Sequence, residues 1–485
     1  MESSNLKTKV ASGLFWRFAE RILAQSVTFI VTIVLARLLD PEAYGAIAIV
    51  NVFIVLANVF VDSGLGNSLI QKKNADDTDF SSLFYFNIFS SVLIYIVIFL
   101  VAPFIADFYE MQVLCPVLRV MALKLILAGV NSVQHAYISR KMIFKRFFWA
   151  TLGGTVGSAF FGIAMALSGF GIWALVGQYM FNSIIDTLIL WFTVKWRPKK
   201  LFSLKRLKSL FSYGWKILAA SLLRSGYKEV RSLVIGKVYT SADLAHYTKG
   251  KSFPSLFVNN LYTAVKSVIF PTMAKVQDKK EQLKAMTRRL VRVYSYVLSP
   301  LLVGLILVAD SLIEVLLTKK WLPCVPYLQA TCILFILEPI QIANLQAIKA
   351  LGRSDTFLKL EIIKKTLGIL ALVATVKYGV RAIIMGEIFI EIVAAAVNIL
   401  PVKKMLGYRY REQLSDMFSS AIPLTAMIIA VLIVKKIVFD VLLQLVIQTL
   451  IGAVVFVLVS VITKNESFEY LKDLFKNIVL SKLRR

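Results

Sequence analysis

Long apolar segments recur from one end of the chain to the other, and short polar intervals separate them. Each segment can cross about 30 Å of hydrocarbon as an α-helix, so the pattern predicts an all-α, polytopic membrane protein with about fourteen transmembrane helices. The intervals are too short for a separate soluble domain, which argues against an enzyme with a large extramembrane head. We place the helices near residues 12–38, 42–64, 81–106, 114–138, 146–168, 170–194, 209–236, 249–274, 290–316, 325–349, 355–377, 380–402, 416–438 and 441–463.

The order of segments repeats within the chain. Residues 35–45 end one apolar segment and begin the next, and residues 235–245 do the same 200 positions later. A second similarity joins the segment that begins at Gly171 to the one that begins at Gly379. Tandem membrane halves of this kind are typical of transporters, with the site between the halves. We predict six-helix lobes at residues 1–200 and 201–410, followed by two extra helices and a basic tail in 411–485.

The positive charge of the chain has a topological explanation. The formal net charge is +28, although only 17% of the residues are charged. Lys and Arg gather in alternate loops, at residues 72–73, 140–146, 195–208, 275–292 and 403–411. By the positive-inside rule, this distribution predicts that both termini lie in the cytoplasm. The basic loops also suit contact with anionic membrane lipids, and nothing in their distribution points to nucleic acid.

The C-terminal tail predicts an amphipathic helix. Residues 468–483 alternate basic side chains with Leu471, Leu474, Phe475, Ile478 and Val479. We interpret this helix as an anchor on the cytoplasmic membrane surface, with docking of a partner protein as the alternative.

The chain shows no signature of catalysis, cofactor binding or metal binding. Cys115, Cys324 and Cys332 have no metal-ligand or redox spacing, and we interpret them as packing residues. Walker, dinucleotide-binding and zinc motifs are absent from the sequence, so we expect neither ATP hydrolysis nor a bound cofactor.

Ionisable residues inside the predicted helices are the main candidates for a functional site. A charge costs roughly 3 kcal/mol or more at the centre of a bilayer, so it needs a reason to be there. The first helix carries Arg17, Glu20 and Arg21 on one face. The seventh helix carries Arg224, Lys228 and Arg231 at a spacing of 4 and 3, with Glu229 beside them.

The two basic groups fall on one stripe when the 200-residue offset is applied. Arg224, Lys228 and Arg231 correspond to positions 24, 28 and 31, which continue the stripe begun by Arg17 and Arg21. We therefore predict a cationic lining between the lobes that holds a polyanion such as a pyrophosphate or an acidic sugar chain. The predicted substrate-binding residues are Arg17, Arg21, Arg224, Lys228, Arg231, Lys249, Lys251 and Lys266.

Several carboxylates lie inside the predicted helices and are candidates for a coupling ion, either H⁺ or Na⁺. We assign this role to Glu20, Glu229, Asp62 and Glu387, with Asp186 and Glu391 as further candidates. His135 and His246 are the only histidines in the sequence, which disfavours a proton relay built on histidine.

Structural alternatives accompany each of these assignments. Arg17 and Arg21 are near enough to the cytoplasmic end of their helix to reach the lipid headgroups. The stripe of the seventh helix has internal pairing with Glu229 or Glu20 as its alternative. In the eleventh helix, Glu361, Lys364 and Lys365 form a compact group that would neutralise itself. The coupling carboxylates would equally serve as partners of structural ion pairs.

Seven motifs in order along nearly the whole chain resemble those of the polysaccharide transporter family. These are the Wzx-like flippases of the multidrug/oligosaccharidyl-lipid/polysaccharide superfamily, and the similarity is to the colanic-acid and teichuronic-acid exporter-like branch. The motifs are LARLLDPEAYG (35–45), VDSGLGNSLIQKK (61–73), DFSSLFYFN (79–87), GFGIWALVGQ (169–178), KWRP (195–198), KKWLP (319–323) and GRSDTFLKLEIIKK (352–365).

The resemblance implies a transporter rather than an enzyme. Members of this family move undecaprenyl-pyrophosphate-linked oligosaccharides, the repeat units of lipopolysaccharide, capsule or exopolysaccharide, across the bacterial inner membrane by alternating access. The family has a cationic cavity, and its members work beside a polysaccharide polymerase and export machinery. Three alternatives stay open from the sequence: a multidrug or small-solute antiporter of the same fold, a polytopic polymerase or ligase, and a scaffold for envelope assembly.

Overall fold

The computed structural model describes residues 21, 23–62, 65–72, 75–141 and 144–483. Every regular element in these ranges is helical, which confirms the all-α prediction. The helices are α1 (Leu23–Leu38), α2 (Pro41–Asp62), α3 (Leu65–Gln71), α4 (Asp77–Phe108), α5 (Leu114–Lys141), α6 (Phe144–Leu167), α7 (Ile172–Thr193), α8 (Leu204–Val238), α9 (Ser241–Ala274), α10 (Lys280–Leu317), α11 (Val325–Phe335), α12 (Glu338–Ala350), α13 (Ser354–Thr375), α14 (Val380–Leu406), α15 (Tyr410–Met417), α16 (Ala421–Ile437), α17 (Val441–Ile462) and α18 (Glu466–Leu483).

Many of these helices have the length and apolarity of a membrane span. Over the described ranges, eight segments pass such a test, and α15 with α16 makes a ninth if this pair, bent by 43°, is one span. The continuous segment Lys319–Ala350, which contains α11 and α12, counts as one of the eight. Each of the fourteen predicted spans coincides at least in part with a described helix. The chain is therefore a multi-pass protein, and the number of fourteen spans stays a prediction.

The 200-residue repeat is visible in the helix boundaries. α1 ends at Leu38 and α2 begins at Pro41, while α8 ends at Val238 and α9 begins at Ser241. Pro41 is favourable at the start of a helix, where its missing N–H leaves no hydrogen bond unmade. At the second junction Thr240 and Asp243 cap each other: Asp243 N–H donates to the Thr240 hydroxyl oxygen at 3.1 Å, and Thr240 N–H donates to the Asp243 carboxylate at 3.2 Å.

The second predicted similarity also has a common local geometry. Gly171 and Gly379 immediately precede α7 and α14, with φ angles of 54° and 99°. Side chains disfavour this region of backbone conformation, and glycine enters it without a Cβ clash. Both repeated turns therefore need glycine for the same physical reason.

The chain divides into two compact units, residues 1–245 and 246–485. α8 belongs to the first unit, where it packs against α2, α3 and α4. The predicted lobes at 1–200, 201–410 and 411–485 follow the sequence repeat rather than these contacts, and their boundaries stay a prediction.

Close helix packing in the first unit depends on glycine. An added Cβ at Gly154 of α6 would lie 3.1 Å from the backbone oxygen of Asn182 in α7. An added Cβ at Gly129 of α5 would lie 3.0 Å from the backbone oxygen of Asn87 in α4. Small residues permit such approaches between membrane helices, where van der Waals packing and interhelical hydrogen bonds hold the helices together. These close contacts fix the rotation of α5 and α7 about their axes, and therefore the direction of their polar faces.

The second unit is organised around the long helix α10. α10 packs against α11, α12, α16 and α17, and α18 also contacts it. One of its core clusters consists of four buried side chains from α10, α16 and α17, namely Tyr296, Met427, Val431 and Phe456. Phe468 and Leu471 of α18 pack against this cluster. The beginning of the C-terminal helix is therefore attached to the unit through apolar contacts.

Candidate functional site

A polar chamber lies inside the first unit, between α2, α5 and α7. Its volume is about 560 Å³, which is within the range of small-molecule sites, about 300–1,000 Å³. Asn51 and Asn58 of α2 face it from positions seven residues apart, or two helical turns. The remaining lining residues are Ile54, Val55, Val59, Lys124, Leu125, Leu127, Ala128, Asn131, Ser132, His135, Asn182, Ser183 and Asp186.

Helical periodicity explains how α5 and α7 reach the chamber. On α5, Lys124, Asn131 and His135 share one face, at spacings that are whole turns of a helix. On α7, Asn182 and Asp186 are four residues apart and therefore also share a face. Polar side chains within membrane helices are costly unless they face one another or water, so their convergence from three helices makes this chamber the candidate site.

Hydrogen bonds within the unit orient the chamber amides. The side-chain amide of Asn131 donates to Thr187 Oγ1 at 2.7 Å, and that of Asn182 donates to Ser158 Oγ at 3.3 Å. In the described part of the chain, Oδ1 of Asn131 is buried and has no hydrogen-bond partner. A buried acceptor without a donor costs about 1–3 kcal/mol.

The chamber carries charges of both signs. Lys124 Nζ lies 4.9 Å from the centre of the Tyr179 ring, a cation–π contact. Asp186 contributes a carboxylate, and His135 contributes an imidazole. Amides and hydroxyls both donate and accept hydrogen bonds. The lining can therefore bind a ligand rich in hydroxyl groups, and it differs from the purely cationic surface predicted from the sequence.

The predicted basic stripe occupies one face of α8, outside the lining of this chamber. Arg224 and Lys228 are exposed, and Arg224 Nη2 donates to Ser221 Oγ one turn earlier at 3.3 Å. Arg231 is 8% exposed, and its guanidinium carbon lies 5.4 Å from the centre of the Tyr227 ring. Glu229, assigned to ion coupling, is half-buried on the same helix.

Several other predicted residues are only partly within the described structure. Arg17 and Glu20 lie outside the described residues, and Arg21 is described as half-buried. Asp62 is the last residue of α2 and Lys266 is within α9, but their side chains lie outside the described part of the structure.

In the second unit, two residues with different predicted roles form an ion pair. Lys251 Nζ lies 3.1 Å from Glu387 Oε1, and both side chains are largely buried. The Tyr247 hydroxyl joins them, at 3.1 Å from Lys251 Nζ and 3.4 Å from Glu387 Oε2. The sequence predicts Lys251 as a substrate-binding residue and Glu387 as an ion-coupling residue. In the structure the charges of these two side chains pair with each other.

Other charged residues of the second unit also have protein contacts. Lys249 is 7% exposed, with its Nζ 5.1 Å from the centre of the Trp321 ring. Lys364 pairs with Glu361 at 2.7 Å, as the structural alternative for that group proposed. Gln341 donates to Glu391 and accepts from Asn398 at 2.9 Å. No group of three or more His, Cys, Asp or Glu side chains in the described ranges is arranged to hold a metal ion.

Sequence reasoning did not single out most of the chamber. It noted His135 and Asp186, but Lys124 and the four asparagines were absent from its candidates. Neutral amides carry no charge signal, and the four are divided among three helices. The available signal was the seven-residue spacing of Asn51 and Asn58 within an apolar helix, which puts two amides on one face.

Comparison with known proteins identifies relatives over nearly the full length. A family described as "Polysaccharide biosynthesis protein" matches residues 34–326. The lipopolysaccharide biosynthesis protein WzxC of Escherichia coli (strain K12) is 26% identical over 476 residues, covering 95% of each chain. The teichuronic acid biosynthesis protein TuaB of Bacillus subtilis (strain 168) is 25% identical over 371 residues, covering 76% of each chain.

The fold also resembles that of a solved transporter. The structure of the lipid II flippase MurJ in an inward closed conformation superposes with a TM-score of 0.71. The similarity covers 96% of this chain and 100% of that one, at 15% sequence identity. At this level of identity, the comparison shows a common fold.

Proposed function

Because the chain belongs to the polysaccharide biosynthesis protein family, we propose that it moves undecaprenyl-pyrophosphate-linked oligosaccharide units across the bacterial inner membrane. The names of its relatives, which refer to lipopolysaccharide and teichuronic acid biosynthesis, support a repeat unit of an envelope polysaccharide as cargo. The fold it shares with a lipid II flippase supports transport of a lipid-linked sugar by alternating access.

The observation that carries this proposal is the polar chamber of the first unit. Four asparagines and two serines line it together with Lys124, His135 and Asp186. Sugars present many hydroxyl groups, and buried amides bind them through paired donors and acceptors. The chamber would hold the sugar while the polyprenyl chain stays in lipid.

The pyrophosphate needs a positive partner, and the basic stripe of α8 is our candidate. Arg224 and Lys228 are exposed and are available to an anionic head group, while Arg231 is packed on Tyr227. The guanidinium of Arg224 matches the geometry of phosphate oxygens in two parallel hydrogen bonds. The sequence predicts the same role for Arg21 and for Arg17, which lies outside the described residues.

The energy source in this proposal is an ion gradient or removal of the product in the outer leaflet. Asp186, which lines the chamber, and Glu387, which pairs with Lys251, are our candidates for the coupling carboxylate. Both termini are cytoplasmic in this proposal, which follows the distribution of basic loops. A polymerase and the export machinery would take up the product.

Reconstitution tests the function directly. The purified protein is placed in liposomes that carry a fluorescently labelled undecaprenyl-pyrophosphate oligosaccharide, and a membrane-impermeant glycosidase reports its arrival at the opposite leaflet. We expect exposure of the sugar to be faster than in protein-free liposomes. Equal rates with and without the protein would contradict the proposal. Transport of a small cationic drug by the same liposomes would then favour the antiporter alternative.

A pair of variants tests the chamber itself. Asn58→Leu replaces an amide of the lining with an apolar side chain of similar size. Thr449→Val removes a hydroxyl of α17 that only donates to its own helix, at 2.8 Å to Leu445 O, and is the control. We expect sugar transfer to fall in the first variant and to stay unchanged in the second. Equal activity would remove the chamber from the transport path.

A further inference from the structure

A second polar pocket lies in the second unit, where the first turns of α10 meet the beginning of α18. Its volume is about 410 Å³, and every residue that lines it belongs to this unit. Three arginines from a single turn and a half of α10 dominate the lining. The lining consists of Ala285, Arg288, Arg289, Arg292, Val293, Glu466, Ser467 and Tyr470.

A buried carboxylate holds two of these arginines in place. Asp416 of α15 is 1% exposed. Arg288 donates to it from Nε at 2.7 Å and from Nη2 at 3.1 Å, and Arg292 donates to it from Nε at 2.6 Å. The hydroxyl of Tyr408 adds a further donor at 2.8 Å. Four hydrogen bonds to one carboxylate fix both guanidinium planes, so the arginines are preorganised at the pocket.

The third arginine has no such partner. Arg289 is exposed, and its guanidinium carbon lies 5.0 Å from the centre of the Tyr470 ring on α18. Among the described residues, no carboxylate lies within 4.0 Å of its nitrogens. Stacking on an aromatic ring orients the planar guanidinium but leaves its N–H groups available.

The charges around the pocket leave a positive excess. Glu466 pairs with Arg292, and Glu412 lies 3.1 Å from Lys284 and 3.8 Å from Arg288. Four basic side chains of α10 thus face three carboxylates, counting Asp416. The surplus positive charge is on Arg289. A ligand with one negative charge and several acceptor oxygens would balance it, and a phosphodiester has this chemistry.

The position of the pocket indicates where that phosphate comes from. α10 has 38 residues and is about 57 Å long, whereas the hydrocarbon core is about 30 Å thick. Residues 280–292 are its polar end, so the arginines lie near the level of the headgroups. Phe468 and Leu471 attach α18 to the apolar core beside them. We propose that this pocket binds the phosphate of an anionic phospholipid in the leaflet on the side of the basic loops.

This proposal is independent of the transported cargo, so it is tested by lipid binding. The full-length protein is placed in nanodiscs of phosphatidylcholine with and without a third of phosphatidylglycerol, and native mass spectrometry measures the lipid that it retains. We expect preferential retention of phosphatidylglycerol. Arg289→Gln should lower its apparent affinity about fivefold, because the variant loses the charge-assisted hydrogen bonds of one guanidinium to the phosphate.

Two further variants separate a specific site from general attraction. Lys280 is also exposed, and it lies on the opposite side of α10 from Arg289. Lys280→Gln removes one positive charge and should leave retention unchanged. Arg289→Lys keeps the charge but loses the planar fork, and should behave between the wild type and Arg289→Gln. Equal losses in Arg289→Gln and Lys280→Gln would overturn the proposal.

A soluble anion distinguishes the two sources of phosphate. Inorganic phosphate is added to wild-type protein in phosphatidylcholine nanodiscs, and thermal unfolding is measured. We expect phosphatidylglycerol to raise the midpoint and inorganic phosphate to leave it unchanged. An equal rise with inorganic phosphate would assign the pocket to a free anion and refute the lipid. If Arg289→Gln does not fold, absence of phosphatidylglycerol preference in the wild type would still refute it.

Discussion

Gly45 of α2 lies directly against the backbone of Ser241, the first residue of α9. A Cβ added to Gly45 would be 1.8 Å from the backbone oxygen of Ser241. Gly236 of α8 lies against a side chain of α2, since its added Cβ would be 2.9 Å from Ile49 Cγ1. The two repeated junctions, 200 residues apart in the sequence, therefore pack against each other without room for a methyl group.

This contact predicts a large effect from a single methyl group. Gly45→Ala should lower the free energy of unfolding by about 1–3 kcal/mol or more, because overpacking here displaces backbone rather than a flexible side chain. Thermal unfolding in detergent is the measurement. Gly304→Ala in α10, where an added Cβ meets no atom within 4 Å, is the matched control. That control should be neutral or stabilising, and equal melting points of the two variants would contradict the packing argument.

The exposed part of the basic stripe predicts a loss of transport without a loss of folding. Arg224→Glu or Lys228→Glu should reduce transfer of the pyrophosphate-linked sugar at least about tenfold, since like charges brought together cost several kcal/mol. Lys208 is also exposed and lies on the opposite face of α8, so Lys208→Glu serves as the control. Wild-type transfer by the stripe variants in reconstituted liposomes would exclude a substrate role for these side chains.

The pair of Lys251 and Glu387 predicts a rescue by charge exchange. Lys251→Gln or Glu387→Gln alone should lower the free energy of unfolding by about 1–3 kcal/mol, because each leaves a largely buried charge without its partner. The double variant Lys251→Glu with Glu387→Lys should recover part of this loss. Lys472→Gln breaks the exposed pair with Glu469 and should change stability little. A double variant as unstable as the single variants would show that the pair is not stabilising.

The beginning of α4 predicts a pH-dependent contribution to stability. Asp76 precedes the membrane span and accepts a hydrogen bond from the backbone N–H of Asp79, and it pairs with Arg206 at 2.7 Å. The backbone hydrogen bond and then the arginine lower the pKa of the Asp76 carboxyl in the folded state. Its stabilising effect is therefore complete above the unfolded-state pKa of about 3.9 and is lost as the pH falls through the lower folded-state pKa.

Asp76→Asn isolates that charge, because asparagine caps a helix about as well as aspartate. The melting temperature of the variant should be lower than that of the wild type near pH 7, and the difference should shrink toward zero as the pH falls below about 4. Asp278→Asn, which removes one negative charge from an exposed turn, is the control. A constant difference between Asp76→Asn and the wild type at all pH values would assign the effect to packing.

The sequence determined the class of the protein and much of its organisation. Apolar segments of 18 residues or more force helices, because a backbone in hydrocarbon must satisfy its own hydrogen bonds. The repeat was also visible in the sequence, because its junctions and turns need particular residues wherever they occur. These are the junctions at Pro41 and Ser241 and the turns at Gly171 and Gly379. These properties depend on neighbours in the chain, so local patterns reveal them.

Only the tertiary structure decided which polar groups meet. Lys251 and Glu387 are 136 positions apart and form one ion pair, and the asparagines of the chamber come from three helices whose rotation depends on close glycine contacts. The basic residues were found by their charge, but no local pattern indicates that Asp416 fixes Arg288 and Arg292 while Arg289 stacks on Tyr470. Such partnerships depend on distances across helices, and the sequence specifies these only through the packing of the whole unit.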